Sequence, residues 1–313
     1  MPKICVVGSI NFDVVTSVDE YPEMGQTVIG KTIEEFHGGK GANQAVACAK
    51  QGKEVAMIGA VGDDDTGDHL IENLKNIDVN TEHIETLAET KSGQTTIILD
   101  GNADNVIIYV GGANTKLSPE VVKESMEQLK NCEILLTQLE SPADAVLQAM
   151  KVAQSQEQLV IFDPAPPHNV SDEMLQYTDL ILPNVHEAEF ITGVKVVDES
   201  TAKEAAKILQ EKGVSRGVIT LGEEGSYVYE EDRITHIEAI EVDAIDTVGA
   251  GDCFAAAIAS AMLDGEELVD AASYAGIVAA LKVTKSGAQI GMPNREEIVA
   301  FGQSMNLPIY FTT

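Results

Sequence analysis

"EILLTQLESPADAVLQAMKVAQSQEQLVIFDPAP", residues 133–166, sets two short runs rich in Leu, Ile and Val on either side of a stretch with helical spacing. Short apolar runs read as buried strands, and "PADAVLQAMKVAQSQ" between them reads as a helix. The same rhythm extends in both directions. "KICVVG" (3–8), "EVAMIGAVG" (54–62), "DLILPN" (179–184) and "RGVITLG" (216–222) are further strands, and "GANQAVACAKQG" (41–52), "SPEVVKESMEQLK" (118–130) and "STAKEAAKILQEKG" (200–213) are further helices. Strands that alternate with helices predict an α/β fold: a doubly wound, mostly parallel sheet flanked by helices on both faces. In such sheets ligands collect outside the carboxyl ends of the strands.

Two stretches break the rhythm. Residues 11–37 and 94–112 read as β segments inserted into the α/β body, the second as a hairpin in which "QTTIIL" and "NVIIYV" flank a polar turn. They are expected to form a small lid over a substrate. No repeat, low-complexity segment or linker divides the chain, so residues 1–313 are expected to form one domain.

Twenty basic residues against 51 acidic ones leave a formal charge of −31. Such a surface repels nucleic acid and anionic membranes, so neither is an expected partner. An anionic substrate must then be held locally, by backbone amides, a metal ion or a few lysines. Cys5, Cys48, Cys132 and Cys253 lie far apart with no C-x-x-C pair, which indicates neither zinc nor disulfides. "MPKICVVGSI" has no leader pattern and no apolar run reaches the ~20 residues of a membrane span, so a cytoplasmic protein is expected.

"GQTVIGKT" (25–32) fits the spelling of a phosphate-binding P-loop, G-x-x-x-x-G-K-[ST]. The context fails, because Thr27, Val28 and Ile29 favour extended backbone and "IEEF" is cut short by His37, Gly38 and Gly39. A lid strand is expected there instead. "DGNADNVIIYVG" (100–111) echoes a calcium loop but has Asn105 at its sixth position and Gly111 at its twelfth, so it reads as a hairpin turn. "GDDDTGD" (62–68) reads as a helix start rather than a metal cluster.

The chemistry is concentrated in "DAIDTVGAGDCFAAAIASAML", residues 243–263, where a Gly-rich turn opens into a long helix of small residues. Around Gly249, Ala250 and Gly251 the backbone N–H groups are open to a phosphate, and the helix N-terminus adds partial positive charge. Asp252, in the first turn, either complements the helix dipole or accepts the proton of an attacking hydroxyl. One placement serves both roles.

At this point the residues resemble a known family. "GSINFD" (8–13), "GGKGANQA" (38–45), "QLE" (138–140), "DPAP" (163–166), "PNVHEAE" (183–189), "TLGEEG" (220–225) and "DTVGAGD" (246–252) closely resemble the ribokinase family of carbohydrate kinases, in order and to about residue 300. The resemblance implies ATP-dependent phosphorylation of D-ribose at O5, a β lid, and a homodimer formed through that lid. It implies that Asn11, Asp13, Gly39, Lys40, Gly41, Asn43, Glu140 and Asp252 hold the sugar, with Asp252 as base and the amides of 249–252 as anion hole. A ring of Asn, Asp and Glu suits a polyol, because a substrate lacking a hydroxyl would leave a partner unpaired.

By the same resemblance Asn184 and Glu187 act through water on Mg²⁺ and phosphate, while Thr220, Gly222, Gly225, Gly251 and Gly276 line the ATP pocket. Asp246, Val248, Val283, Ser286, Gly287 and Gly291 match a loop that holds K⁺. Three positions depart from the family's usual residues: Gly291 where Ser is usual, Asp163 where Asn is common, and Gly276 where a polar side chain often faces the nucleotide. Competing readings are a kinase for deoxyribose, fructose or a nucleoside, and a sugar-binding regulator without catalysis. A Rossmann oxidoreductase is disfavoured because "VVGSINFD" lacks G-x-G-x-x-G.

Overall fold

A computed structural model describes residues 1–101 and 104–307. Thirteen strands build two sheets among these residues: β1 (Ile4–Val7), β2 (Asn11–Ser17), β3 (Thr32–Gly38), β4 (Val55–Gly62), β5 (Asn80–Leu87), β6 (Gly93–Leu99), β7 (Asn105–Val110), β8 (Ile134–Thr137), β9 (Leu159–Phe162), β10 (Leu180–Ile181), β11 (Arg216–Thr220), β12 (Ser226–Glu230) and β13 (Arg233–Ile237). The large sheet has the order β13-β12-β11-β10-β9-β8-β1-β4-β5. From β11 to β5 every pairing is parallel, and only the β11–β12 and β12–β13 pairings are antiparallel.

Alternate residues of the short strands serve opposite faces. Ile4, Val6, Leu136 and Ile161 join one apolar cluster with the helices Lys40–Lys50, Ala250–Leu263 and Leu268–Val283. Cys5, Val7, Leu135, Val160 and Phe162 join the other, with the helices Pro119–Gln128, Ala143–Ser155 and Glu199–Glu211. Burial on both faces explains why these strands carry unbroken apolar runs. Between β1 and β8 the strand order reverses, and the loops that follow both strands open a crevice there.

The second sheet, in the order β3-β2-β6-β7, is the lid. Its two central strands, β2 and β6, are parallel, and each has an antiparallel partner at the edge. The expected hairpin at 94–112 is present as β6 and β7; tip residues 102 and 103 lie outside the described residues. The expected strand at "GQTVIGKT" is not. Residues 25–31 are loop, with Ile29 90% exposed, and β3 begins at Thr32. Lys31 N–H donates to Ser17 O at 2.7 Å and the ladder starts at the Ser17–Thr32 pair, so Thr27, Val28 and Ile29 have no opposing strand to satisfy their β preference. Among the described residues, no helix is long and apolar enough to cross a membrane.

Candidate active site

The helix Ala250–Leu263 starts at Gly249, whose φ of 77° and ψ of 7° place it in the left-handed region. No side chain caps this end. The N-terminal N–H groups and the positive end of the dipole are therefore left for a ligand, apart from Ala250 N–H, which donates to Thr247 O at 3.1 Å. A side chain at Gly251 would meet no atom within 4 Å, so this glycine faces open space.

Asp252 lies in that first turn, 5% exposed. Asn43 Nδ2 donates to its Oδ2 at 2.8 Å and Gln44 Nε2 to its Oδ1 at 3.3 Å. Gln44 Nε2 also donates to Asp163 Oδ2 at 2.8 Å, so one amide group bridges two carboxyls. Gln138 donates to Gln44 Oε1, and Gln289 Nε2 to Asn43 Oδ1 at 3.1 Å, which fixes the orientation of both amides. Lys40 sits among carboxylates: Asp252 above all, with Asp163, Glu140 and Glu187, raises its pKa against the opposing effect of burial. Burial, aided by the charges of Glu187 and Asp252 and opposed by Lys40 and Gln44, pushes Asp163 up to about 8.

At the mouth of the crevice Glu140 Oε2 accepts from Ser9 Oγ at 2.5 Å and from Lys40 N–H at 3.2 Å. Asn11, 3% exposed, accepts from Asn114 Nδ2 at 2.7 Å, and Asn114 is itself tied to both backbone groups of Ile10. Asp13 hydrogen-bonds Thr95, and burial raises its pKa. Tyr109 reaches in from β7 to the side chains of Asn114 and Asn11. Gly39 has a φ of 88°, and a Cβ there would lie 2.7 Å from Ser9 O and Asn11 N, while one on Gly41 would lie 2.6 Å from Gly8 C. These two glycines press the start of the Lys40–Lys50 helix against the connection from β1 to β2. Asn11, Asp13, Gly39, Lys40, Gly41, Asn43, Glu140 and Asp252 thus meet where the lid joins the body.

Asn184 and Glu187 form a capping box on the helix Val185–Thr192: Asn184 Oδ1 accepts from the N–H groups of His186 and Glu187, and Glu187 Oε2 accepts from Asn184 N–H at 2.8 Å. Glu187 is 8% exposed, with its pKa raised by burial, and its charge acts on Lys40 and Asp163. Asn184 forms a parallel bridge with Thr220 at the end of β11. Gly222 and Gly276 face open space, whereas a Cβ on Gly225 would lie 2.0 Å from Ile237 O. The contact with β13 therefore accounts for Gly225.

Around Asp246, Oδ1 accepts from Val248 N–H at 2.9 Å and Oδ2 from Gly287 N–H at 2.7 Å. Val283 O accepts from the N–H groups of Ile245 and Asp246. A Cβ on Gly291 would stand 2.9 Å from Ser286 O. Lys282, fully buried, donates from Nζ to Asp246 O at 3.0 Å and to Lys285 O at 3.4 Å.

Sequence reasoning missed Gln44, Gln138, Asn114, Tyr109 and Lys282 as parts of this region. Gln44 and Gln138 lie inside the quoted motifs "GGKGANQA" and "QLE", and Lys282 stands out as a lysine inside the apolar run "GIVAALKV".

Residues 1–295 match the family model described as pfkB family carbohydrate kinase. The chain is 38% identical over 298 residues to the ribokinase of Haemophilus influenzae, covering 95% of this chain and 97% of that one. It is 35% identical over 297 residues to the deoxyribokinase of Salmonella typhi, covering 94% and 96% respectively. The structure of Arabidopsis thaliana ribokinase complexed with ribose and ATP superposes with a TM-score of 0.89 at 29% identity, covering 96% of this chain and 98% of that one. With a whole-length family match, that fold and an uncapped glycine-led helix beside a buried aspartate, the chain belongs to the pfkB family of carbohydrate kinases and is an ATP-dependent sugar kinase of the ribokinase type.

Proposed function

We propose that the protein is a ribokinase, transferring the γ-phosphoryl group of ATP to O5 of D-ribose to give D-ribose 5-phosphate and ADP. The observation that carries this reading is the Asp252 carboxylate, held by Asn43 and Gln44 in the first turn of the helix that Gly249 opens. Both of its oxygens accept from amides, so the carboxylate has a fixed direction. In the proposed reaction it takes the proton of the sugar hydroxyl, while the amides of Gly249, Gly251 and Asp252 offset charge growing on the transferred group; the fourth expected amide, that of Ala250, is already held by Thr247 O. Lys40 offsets the local excess of carboxylates.

Asn11, Asp13, Gly39, Lys40, Gly41, Asn43 and Glu140 would orient the sugar, and Thr220, Gly222, Gly225, Gly251 and Gly276 would border the nucleotide. Mg²⁺ would arrive with the triphosphate and neutralise its oxygens. Glu187 uses one oxygen in the capping box and keeps the other, which suits a metal that retains most of its waters. K⁺ fits less well. Both Asp246 oxygens already accept from amides, Asp246 O is held by Lys282, and Gly291 brings no ligand.

Residues 1–313 act as one unit in this reading, with the lid over the sugar. A coupled ADP-release assay on D-ribose, 2-deoxyribose, fructose and nucleosides tests it. Ribose should give the highest kcat/KM; a rival higher by about tenfold would reassign the sugar, and no sugar-dependent release would favour a binding regulator.

A further inference from the structure

We propose that the ammonium of Lys282 is the resident cation of the loop around Asp246, so that this enzyme works without K⁺. The inference rests on the kinase reading for its consequence, though not for its geometry. The chain gathers at this point the ligands a monovalent cation would use, main-chain carbonyls and one carboxylate. Lys282 already occupies them: Nζ donates to Asp246 O at 3.0 Å and Lys285 O at 3.4 Å, with the Asp246 carboxylate as its neighbouring negative charge.

Three other expected ligand oxygens already accept from amides, and a side-chain ligand is missing at Gly291. Asp246 Oδ1 and Oδ2 accept from Val248 and Gly287, and Val283 O accepts from Ile245 and Asp246. Gly291 brings no hydroxyl, and even a Cβ there would stand 2.9 Å from Ser286 O, so the backbone has closed in where a serine ligand would need room.

Lys282 has no exposed surface, and burial by itself lowers its pKa, so its ammonium depends on the two carbonyl acceptors and on the Asp246 charge, which opposes that effect. It also lies in the last turn of the helix Leu268–Val283, where the carbonyl end of the dipole favours a positive charge. A second cation in the same shell would face that charge at close range.

The connection to catalysis runs through Asp246. Lys282 holds its carbonyl, its carboxylate holds Val248 N–H, and the next residue is Gly249, where the phosphate-facing helix begins. Lys282 is thus a positioning residue for the anion hole.

The test compares initial rates in KCl, NaCl and tetramethylammonium chloride at one ionic strength, together with anomalous diffraction from crystals soaked in RbCl. Wild type should vary less than about twofold among the salts and show no Rb⁺ peak beside Asp246. Lys282→Ala, which opens space, should lose about tenfold or more in tetramethylammonium, regain rate in K⁺, and bind Rb⁺; Lys282→Met, which fills the space without charge, should lose rate in every salt. A wild-type rate that rises tenfold with K⁺, or a Rb⁺ peak at Asp246 in the wild-type crystal, overturns the proposal. Should neither variant fold, the wild-type measurements decide it alone. The Rb⁺ readout needs no turnover, so a wrong sugar or an inactive chain would count against the kinase reading and not against this one.

Discussion

Gln44 lends one amide group to two buried carboxyls that need opposite charge states. Asp252, as the proposed base, must be ionised, whereas Asp163 is pushed up to about 8, chiefly by burial. Asp252→Asn keeps the size and one acceptor of the side chain, so folding and ATP binding should survive while kcat falls by about 10³ or more. Turnover near wild type would remove Asp252 from the chemistry. For Asp163 the folded chain holds a proton that the unfolded chain releases above its value of 3.8. The stability this contributes is complete below that pH and is lost as pH rises toward about 8, at up to ~1.4 kcal/mol per pH unit. Thermal melts from about pH 5 to 8.5 should therefore show wild type losing stability with rising pH and Asp163→Asn losing less; parallel curves would mean that Asp163 is already ionised at low pH.

The box formed by Asn184 and Glu187 separates a structural role from a functional one at the level of an element. Asn184→Ala removes the cap of the helix Val185–Thr192 and should cost about 1 kcal/mol, read as a lower Tm. Glu187→Gln keeps an acceptor for Asn184 N–H and should leave stability within about 0.5 kcal/mol, while lowering kcat about tenfold if the carboxylate serves Mg²⁺ through water. Equal activity losses without any stability difference would contradict this division. The parallel strands β1, β4 and β8 to β11 were legible because burial on both faces writes itself into short apolar runs. The loop 25–31 was not, since three β-branched residues carry the same preference whether or not a partner strand exists. Asp252, Asn43 and Glu140 could be named from motif resemblance. Gln44 and Gln138 lie inside the quoted motifs, yet their roles, like that of Asn114, were not legible, because a buried amide's task is specified only by the groups it meets in space, and those lie up to 208 residues away.

Two surface properties govern the molecule as a whole. Tyr109 points from β7 toward Asn11, and side chains alternate along a strand, so Val106, Ile108 and Val110 project from the opposite face of the lid; they are 45%, 53% and 58% exposed. Such an apolar band on an edge strand suits the lid-to-lid homodimer that the family resemblance implies. Ile108→Asp should convert a dimer into a monomer in light scattering, and an unchanged mass for a dimeric wild type would place the interface elsewhere. The charge of −31 repels MgATP and sugar phosphates at long range, so KM for MgATP should fall as ionic strength rises, most steeply below ~0.1 M where screening is weakest. The β2–β3 half of the lid leaves the body through Gly8, Ser9 and Ile10 after β1 and returns through Gly39 before the Lys40–Lys50 helix, and the β6–β7 half joins it through residues 88–92 after β5. With tethers this short, whatever draws the cover down also tugs on the strand and helix that carry Glu140's and Asp252's partners.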